Sequence, residues 1–383
     1  DKQLLITLTL LFVSVIIFSY SVLLTPKQKI NYINFEIRKK NNGLEYACII
    51  IFYITIFFEF VVSIEKFMFT YIGGSYTGYY ISFARKLPPF VYKIAELNLP
   101  AFFSVLAFCP PKRDTKPIIF LYLLDGFIVL LAGQRNQLVR AALICFCYVL
   151  LRNKWDNDDN WLSKKQLRTI IIALPFLIVA LQAWGTMRNG SVFNINGIFN
   201  AVGDFFRDQG TTSVVIYEGV ELQNSFPVGV NYTFAPIVNF LLNNQITKLF
   251  YHTVLYTQQT TELALYGNNF GATLTYLYVP YNYSEGIGMG SSYVIEVFHD
   301  FGWLGVSIIN ILYGFLLVRL ERYFSKPIKS PWVGMILLLF ADGILYAPRD
   351  SALNFLTNAL NFTVLLYVIL VYVIAAFIKV RKA

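Results

Sequence analysis

Long apolar runs constrain this chain more than any other feature of its sequence. Nine stretches approach the roughly 20 residues that a helix needs to cross a bilayer. They span residues 4–24, 44–64, 90–108, 117–132, 138–151, 169–185, 301–318, 331–345 and 355–378. Within lipid, every backbone polar group must be bonded internally, which favours helices for runs of this length. The sequence therefore predicts an all-α polytopic integral membrane protein with about nine transmembrane helices.

The composition supports a membrane protein. Hydrophobic residues make up 56% of the 383 residues and charged residues 14%, against about 25% charged in soluble domains. The four cysteines lie in or beside apolar runs, and we expect neither a disulfide nor a metal clamp from them. The chain begins at Asp1 within an apolar run, without Met or a signal-peptide pattern, and we expect further spans upstream.

The basic residues predict the orientation of the helices. Of the 31 Lys and Arg, 20 lie in alternate connecting segments, at residues 27–40, 112–116, 152–168, 319–329 and 379–382. Lys and Arg accumulate in cytoplasmic loops, so these segments are predicted to be cytoplasmic. The net charge of +9 is then explained by the basic residues of the cytoplasmic loops. The sequence contains no basic soluble module, so we expect no nucleic-acid partner.

Most of the irregular chain is thereby predicted to lie outside, at residues 65–89, 133–137, 186–300 and 346–351. The segment 186–300 is too aromatic for a disordered linker and too long for a passive connection. We expect it to be a large extracytoplasmic loop with short helices, carrying function, within one polytopic domain of residues 1–383. No internal repeat is visible in the sequence.

Six arginines lie outside the segments that are predicted to be cytoplasmic: Arg85, Arg135, Arg140, Arg188, Arg207 and Arg349. The planar guanidinium binds two phosphate oxygens at once, so such a set predicts anion binding from outside. The alternative for each arginine is pairing with a local acid or contact with lipid headgroups.

Two of these arginines are predicted to lie below the outer surface. Residues 117–151 form a hairpin of 35 residues, whereas two full crossings need about 40, so the turn with Arg135 should be recessed. The run 331–345 is also shorter than a full crossing, so Arg349 should likewise lie below the outer surface. Together they could hold a diphosphate, or Arg349 could pair with Asp342 or Asp350.

The segment 286–305 combines glycines, serines and acids. Read as a helix, Ser292, Glu296 and Asp300 lie on one face, and Ser291 or Ser292 could cap it. Two carboxylates so close to each other disfavour ionisation of both at once. A raised pKa on one of them would suit proton transfer. The alternative is a capped helix start whose acids favour its positive end. The three glycines before the cap permit the backbone to approach a ligand closely.

Other titratable residues fall nearby or within the predicted spans. His299 follows Glu296 by three residues and could act as a base or as an interfacial hydrogen bonder. No cluster of His, Cys or acids has metal-ligand spacing, and we expect no metal. The predicted spans also contain Glu59, Lys93, Glu96 and Asp125, which we expect to pair or to line one cavity, although a proton-coupled transporter would use such residues too.

Three separated stretches resemble the bacterial O-antigen polysaccharide polymerase family, Wzy. The first is Gly288-Met289-Gly290-Ser291-Ser292-Tyr293 with Glu296, Asp300-Phe301-Gly302 and Gly305. The second, Phe205-Phe206-Arg207-Asp208-Gln209-Gly210, is similar to an aromatic-aromatic-x-x-Gln-Gly segment. The third, Gly133-Gln134-Arg135-Asn136, is similar to a small-x-Arg turn. Together the matches cover a small part of the chain.

This resemblance implies a glycosyltransferase C type architecture in a bacterial cytoplasmic membrane, with its active site facing the periplasm and no cofactor or metal. The reaction implied is transfer of a growing glycan from undecaprenyl diphosphate to the non-reducing end of another lipid-linked repeat unit. The partners implied are undecaprenyl-diphosphate-linked oligosaccharide, membrane lipids and a chain-length-regulating co-polymerase.

The resemblance also assigns residues to roles. Arg135 and Arg349 would hold diphosphate, with help from Arg188 and Arg207, and Glu296 or Asp300 would orient or deprotonate the acceptor hydroxyl. Ser291, Ser292, Gln209 and His299 would contribute to substrate binding, His299 chiefly by packing because the motif has an aromatic residue there.

Three other functions stay open at this point. An O-antigen ligase transfers finished glycan to a different acceptor, and the sequence separates it poorly from a polymerase. A flippase or exporter for the lipid-linked unit would favour paired internal repeats. A membrane acyltransferase normally has a His deep in a span, whereas His252 and His299 both fall in the predicted outer loop.

Overall fold

The computed structural model describes residues 2–24, 42–72, 83–155, 161–188, 203, 207, 210–252, 256, 259–325 and 330–380. In these ranges all regular structure is helical. The α-helices are α1 (Lys2–Leu23), α2 (Asn42–Ile72), α3 (Pro89–Ala95), α4 (Asn98–Ala107), α5 (Lys112–Leu131), α6 (Arg135–Trp155), α7 (Lys164–Arg188), α8 (Thr211–Glu221), α9 (Ala235–Leu242), α10 (Gln245–Tyr251), α11 (Thr261–Tyr266), α12 (Phe270–Tyr278), α13 (Pro280–Ser284), α14 (Tyr293–Phe324), α15 (Pro331–Tyr346), α16 (Asn354–Ala359) and α17 (Phe362–Val380). Short 3-10 helices cover Gln223–Ser225 and Ala347–Arg349.

Six helical stretches among the described residues are long and apolar enough to cross a membrane. They are Lys2–Leu23, Gly43–Ile72, Pro89–Ala107, Tyr293–Phe324, Pro331–Arg349 and Asn354–Ile378. The chain is therefore an all-helical, multi-pass membrane protein, as its apolar runs predict. The other three predicted spans coincide with α5, α6 and α7, and their crossing of the membrane stays a prediction.

The helices group into two compact units. The first contains Asp1–Lys27, Phe206–Val318 and Phe340–Ala359, and the second contains Gln28–Phe205, Arg319–Leu339 and Leu360–Ala383. In the first unit, α1 packs on α8, and Leu10, Ile216, Phe270, Ile295 and Phe355 are among its buried core residues. Where such helices lie in lipid, close van der Waals packing between their side chains favours their association.

The second unit is organised around α2, which packs on α3, α4, α5 and α17. The α5 and α6 helices form an antiparallel hairpin through the turn at Gly133, whose φ of +96° is a conformation that glycine adopts without strain. Phe102 and Tyr122 stack with ring centroids 3.8 Å apart, which joins α4 to α5. Arg152, which is 2% exposed, donates to the carbonyl oxygen of Pro110 at 3.0 Å.

Two of the apolar runs are interrupted where a single straight helix was predicted. Residues 90–108 form α3 and α4, which are separated at Glu96 and Leu97. The apolar run from residue 301 continues a helix that begins at Tyr293, directly after the predicted cap at Ser291 or Ser292, and Gly302 breaks its regular geometry with φ 60° and ψ −152°. That backbone region is almost restricted to glycine, so α14 consists of a short segment before Gly302 and a long one after it.

Candidate active site

A buried carboxylate, that of Glu296, links two distant segments of the first unit. Glu296 is 1% exposed. Its Oε1 accepts hydrogen bonds from the hydroxyls of Ser291 at 2.6 Å and Ser351 at 2.8 Å, and its Oε2 accepts from the amide nitrogen of Ala352 at 2.8 Å. Three donors satisfy the carboxyl oxygens, as burial of polar atoms requires. Glu296 thereby ties the segment before α14 to the segment after α15.

The second of these segments carries Arg349. Tyr313 in α14 donates its hydroxyl to the carbonyl oxygen of Ala352. Both the amide nitrogen and the carbonyl oxygen of Ala352 are therefore bonded to side chains of α14. The carboxylate of Asp350 accepts from the amide nitrogen of Ser351 at 2.8 Å and from the side-chain nitrogen of Asn354 at 2.5 Å. Arg349, half-buried, is the last residue of the preceding 3-10 helix. The segment that directly follows Arg349 is therefore bonded to α14.

The glycine-rich segment before α14 approaches another backbone rather than open space. A Cβ on Gly271 of α12 would lie 2.7 Å from the carbonyl oxygen of Gly290, and Gly290 itself has a φ of +82°. The amide nitrogen of Met289 donates to the hydroxyl of Thr275 at 3.0 Å. The absence of a side chain on Gly271 therefore allows this segment to lie directly on α12, and the positive φ of Gly290 accounts for glycine at that position.

The two serines of that segment have different surroundings. The hydroxyl of Ser291 donates to Glu296. Ser292 is fully buried, and its hydroxyl oxygen has no hydrogen-bond partner within the described part of the chain. Its carbonyl oxygen accepts from the amide nitrogen of Glu296 at 3.2 Å, in the first turn of α14. The assignment of both serines to substrate binding stays a prediction.

Asp300, one turn after Glu296, binds a different part of the first unit. Its Oδ2 accepts from the amide nitrogen of Thr233 at 2.6 Å, and its Oδ1 lies 3.0 Å from Nδ1 of His299. The Asp300 side chain is 2% exposed. No hydrogen bond between described residues joins the carboxylates of Glu296 and Asp300. Each carboxylate has its own donors, although both lie on the same short helical segment.

Aromatic rings surround His299. Its ring centroid lies 5.0 Å from that of Phe226, 5.2 Å from that of Tyr232 and 6.3 Å from that of Phe270. Burial raises the pKa of Tyr232 to about 12, with the nearby charge of Asp300 adding to the effect, so its hydroxyl stays protonated. The His299 side chain is 14% exposed, more than either neighbouring carboxylate. Of the three residues, His299 is the most accessible to a ligand.

The remaining predicted site residues are spread over the chain. Arg207, exposed, lies in the first unit, and Arg135 is the first residue of α6 in the second unit. Arg188 is the last residue of α7, and its side chain lies outside the described residues, as does all of Gln209. Among described residues, no group of three His, Cys, Asp or Glu is arranged to hold a metal.

Sequence reasoning missed Ser351 and Thr233. Ser351 is 55 residues from Glu296, and Thr233 is 67 residues from Asp300. Ser351 had one local signal, since it follows the Arg349-Asp350 pair that was singled out. Thr233 belongs to no motif. By contrast, the expectation for acids within the spans is confirmed: Glu59, Glu96 and Asp125 line one cavity, and Lys93 pairs with Glu96 at 2.8 Å.

Comparison with known proteins gives one result at the level of the family. A family model described as O-antigen polysaccharide polymerase Wzy matches residues 1–382. No curated protein and no solved structure matches the chain.

Proposed function

Because this chain belongs to the O-antigen polysaccharide polymerase family Wzy, we propose that it is a glycosyltransferase that polymerises lipid-linked oligosaccharide repeat units. The growing glycan moves from its undecaprenyl diphosphate carrier to the non-reducing end of another lipid-linked repeat unit. The reaction takes place at the outer face of a bacterial inner membrane, on a glycosyltransferase C type architecture. The distribution of basic residues supports this orientation.

In the proposed reaction, the bond between the anomeric carbon and the diphosphate oxygen breaks, and a bond between that carbon and the acceptor hydroxyl oxygen forms. Undecaprenyl diphosphate leaves with the electron pair, and the hydroxyl proton passes to a base on the protein. Negative charge develops on the leaving diphosphate, and stabilising such charge is usually the largest catalytic contribution. In the first unit, Arg349 supplies this stabilisation with Arg207 assisting, and the roles of Arg135 and Arg188 stay predictions from the sequence.

The observation that carries the assignment of Arg349 is the hydrogen-bond set of Glu296. Ser351 and Ala352, which follow Arg349 closely, are bound to this one carboxylate. A guanidinium stabilises a transition state best when its supporting backbone is held before the substrate arrives. Glu296 acts as a positioning residue in this scheme, since its oxygens already accept three hydrogen bonds and its surface is 1% exposed.

The proton acceptor in the proposal is His299, with Asp300 as its orienting partner. A carboxylate bonded to Nδ1 fixes the imidazole tautomer that leaves Nε2 able to accept a proton. The 3.0 Å contact between Asp300 and His299 supports such a pair. Geometry therefore favours His299 over the two carboxylates, which were the bases expected from sequence.

The experiment that tests the function measures the lipid-linked glycans that accumulate when the gene is deleted from its host. Loss of a polymerase leaves single repeat units on the carrier at the outer face. Expression of the intact protein should restore long polymer, and a Glu296→Ala variant at equal protein level should not.

Two other accumulation patterns would overturn the proposal. Full-length polymer that stays on its carrier would indicate a ligase. Repeat units retained at the cytoplasmic face would indicate a flippase or exporter. Purified protein in liposomes with lipid-linked repeat units as the only substrate gives an independent check, since a polymerase should lengthen the glycan without any other protein.

A further inference from the structure

The second unit encloses a polar cavity that the proposed reaction does not use. It has a volume of about 410 Å³, within the range of roughly 300–1,000 Å³ that is usual for small-molecule sites. Its lining includes three acids and two basic residues, Glu59, Glu96, Asp125, Lys66 and Arg85. A cavity of this polarity between apolar helices is unusual, because charged groups in a membrane protein are retained mainly where they serve a function.

The cavity lies at one end of its helices. Glu59 and Lys66 come from the second half of α2, and Asp125 comes from the last third of α5. Arg85 lies in the segment between α2 and α3, and Gln137 lies in the first turn of α6. The positive-inside distribution assigns these ends of the helices to the outer face. A ligand of the cavity would accordingly enter from outside.

The wall that carries Arg85 is held in place by Glu65. One carboxylate oxygen of Glu65 accepts from the amide nitrogens of Lys86 at 2.7 Å and Leu87 at 3.2 Å, and the other accepts from the hydroxyl of Tyr92 at 2.5 Å. The Arg85 guanidinium lies 4.8 Å from the centre of the Tyr92 ring. These contacts order the segment before any ligand is bound, which lowers the entropy lost on binding.

The opposite wall is fixed around Asp125. Its Oδ1 accepts from the hydroxyl of Ser63 at 2.6 Å, and its Oδ2 accepts from the side-chain nitrogen of Gln137 at 3.1 Å. Asp125 is 2% exposed. Helices α2, α5 and α6 are thus joined at the cavity by hydrogen bonds between side chains.

Two groups that line the cavity still have hydrogen-bonding capacity. Glu59 and Lys66 make no ion pair or hydrogen bond by their side chains among the described residues, although both line the same cavity. Charged groups that are partly removed from water require polar partners. A ligand that both donates and accepts hydrogen bonds would supply them.

The composition of the lining selects the class of ligand. Donors such as Lys66, Arg85 and Gln137 alternate with carboxylate acceptors, and Phe83 and Tyr92 add apolar ring surface. Sugar hydroxyls donate and accept at the same atom, and the C–H faces of sugar rings pack on aromatic surfaces.

We propose that this cavity binds a short, uncharged segment of glycan, through hydroxyl contacts with Glu59 and Lys66. The identity of that glycan as part of the lipid-linked repeat unit rests on the proposed function. The subsite recognises sugar and holds it.

The test measures binding of sugar directly. The probe is the repeat-unit oligosaccharide released by mild acid from the host's own lipid-linked intermediate, and the protein is the full chain in lipid nanodiscs. Calorimetry should detect binding to the wild type. Glu59→Gln and Lys66→Met should each weaken it by about tenfold, the effect of losing one hydrogen bond to a charged group. Glu45→Gln, on the same helix but outside the cavity lining, should bind as the wild type does.

Four results decide between these possibilities. Weaker binding in the two cavity variants, with unchanged thermal unfolding and a raised KM at constant kcat, supports the proposal. Equal binding in all four proteins overturns it, as does displacement of the oligosaccharide by inorganic pyrophosphate at the cavity. If the wild type binds the oligosaccharide but never lengthens lipid-linked units, the proposed function fails while the subsite stands.

Discussion

The amide nitrogen of Ala352 donates a 2.8 Å hydrogen bond to Oε2 of Glu296, across 56 residues of sequence. This bond places the segment after α15 against the first turns of α14. Ser351 and Tyr313 add a second and a third connection between the same two parts of the first unit. Arg349 is the arginine closest in sequence to this junction between α14 and the segment after α15. Its function in the proposed reaction depends on the integrity of the junction.

The junction itself can be tested by Glu296→Gln. In glutamine, an NH2 group replaces one of the two oxygens that accept hydrogen bonds from Ser291, Ser351 and Ala352. At least one buried donor then loses its acceptor, which costs about 1–3 kcal/mol of stability. We expect loss of long polymer together with a lower thermal unfolding midpoint. Ser351→Ala removes one of three donors and should cause a smaller loss of both. A wild-type polymer profile from Glu296→Gln would contradict the positioning role.

The arginines are tested by Arg135→Lys and Arg349→Lys. Lysine keeps the charge but loses the bidentate geometry, so a diphosphate site should lose activity by at least about tenfold. Membrane protein levels should be unchanged, and polymer length on a gel is the measurement. Arg113→Lys, at the predicted cytoplasmic end of α5, serves as a control and should be silent. Normal polymer from both variants would instead favour local ion pairs or headgroup contacts.

The proton acceptor is tested by His299→Phe. Phenylalanine keeps an aromatic ring beside Phe226 and Phe270 but removes the ring nitrogens, so packing is retained and general-base catalysis is lost. Loss of such a group typically lowers the rate by about 10²- to 10⁴-fold. The measurement is the initial rate of chain extension in liposomes.

Two companion variants separate the roles around His299. Tyr232→Phe keeps the neighbouring ring and loses only a hydroxyl contact with Thr273, so the rate should change little. Asp300→Asn should slow extension through the orientation of His299. An active His299→Phe together with an inactive Asp300→Asn would return the base to the carboxylate, as expected from sequence.

The break in α14 predicts a requirement for glycine at position 302. Its φ of +60° with ψ of −152° is a strained conformation for any L side chain, at about 1–3 kcal/mol. A Cβ there meets no atom within 4 Å, so the effect of Gly302→Ala is conformational and not steric. We expect a lower unfolding midpoint in detergent. Gly203→Ala, which is also open to space and has no positive φ, should be neutral.

The predicted topology is tested by cysteine labelling. A cysteine at the fully exposed Val228 should react with an impermeant thiol reagent from outside, and one at Lys164 should not. Three of the four native cysteines are buried, which keeps background labelling low. The opposite labelling pattern would invert the orientation and remove the basis for an outer-face reaction.

The sequence by itself determined the class of fold and the family. Apolar length is a local property, since a run of about 20 apolar residues forms a helix in lipid whatever surrounds it. Helices therefore occur at all nine predicted positions, and six of them are long and apolar enough to cross a membrane. The three motif stretches identified the Wzy family, to which the chain belongs.

Only the tertiary structure decided which groups meet. Glu296 and Asp300 share a helical face in the sequence pattern, but one binds Ser351 and Ala352 while the other binds Thr233. Similarly, no local pattern links Ser63 to Asp125, or Glu65 to the segment that carries Arg85. Hydrogen-bond partners at such separations depend on how helices pack, and packing is a property of many distant contacts at once.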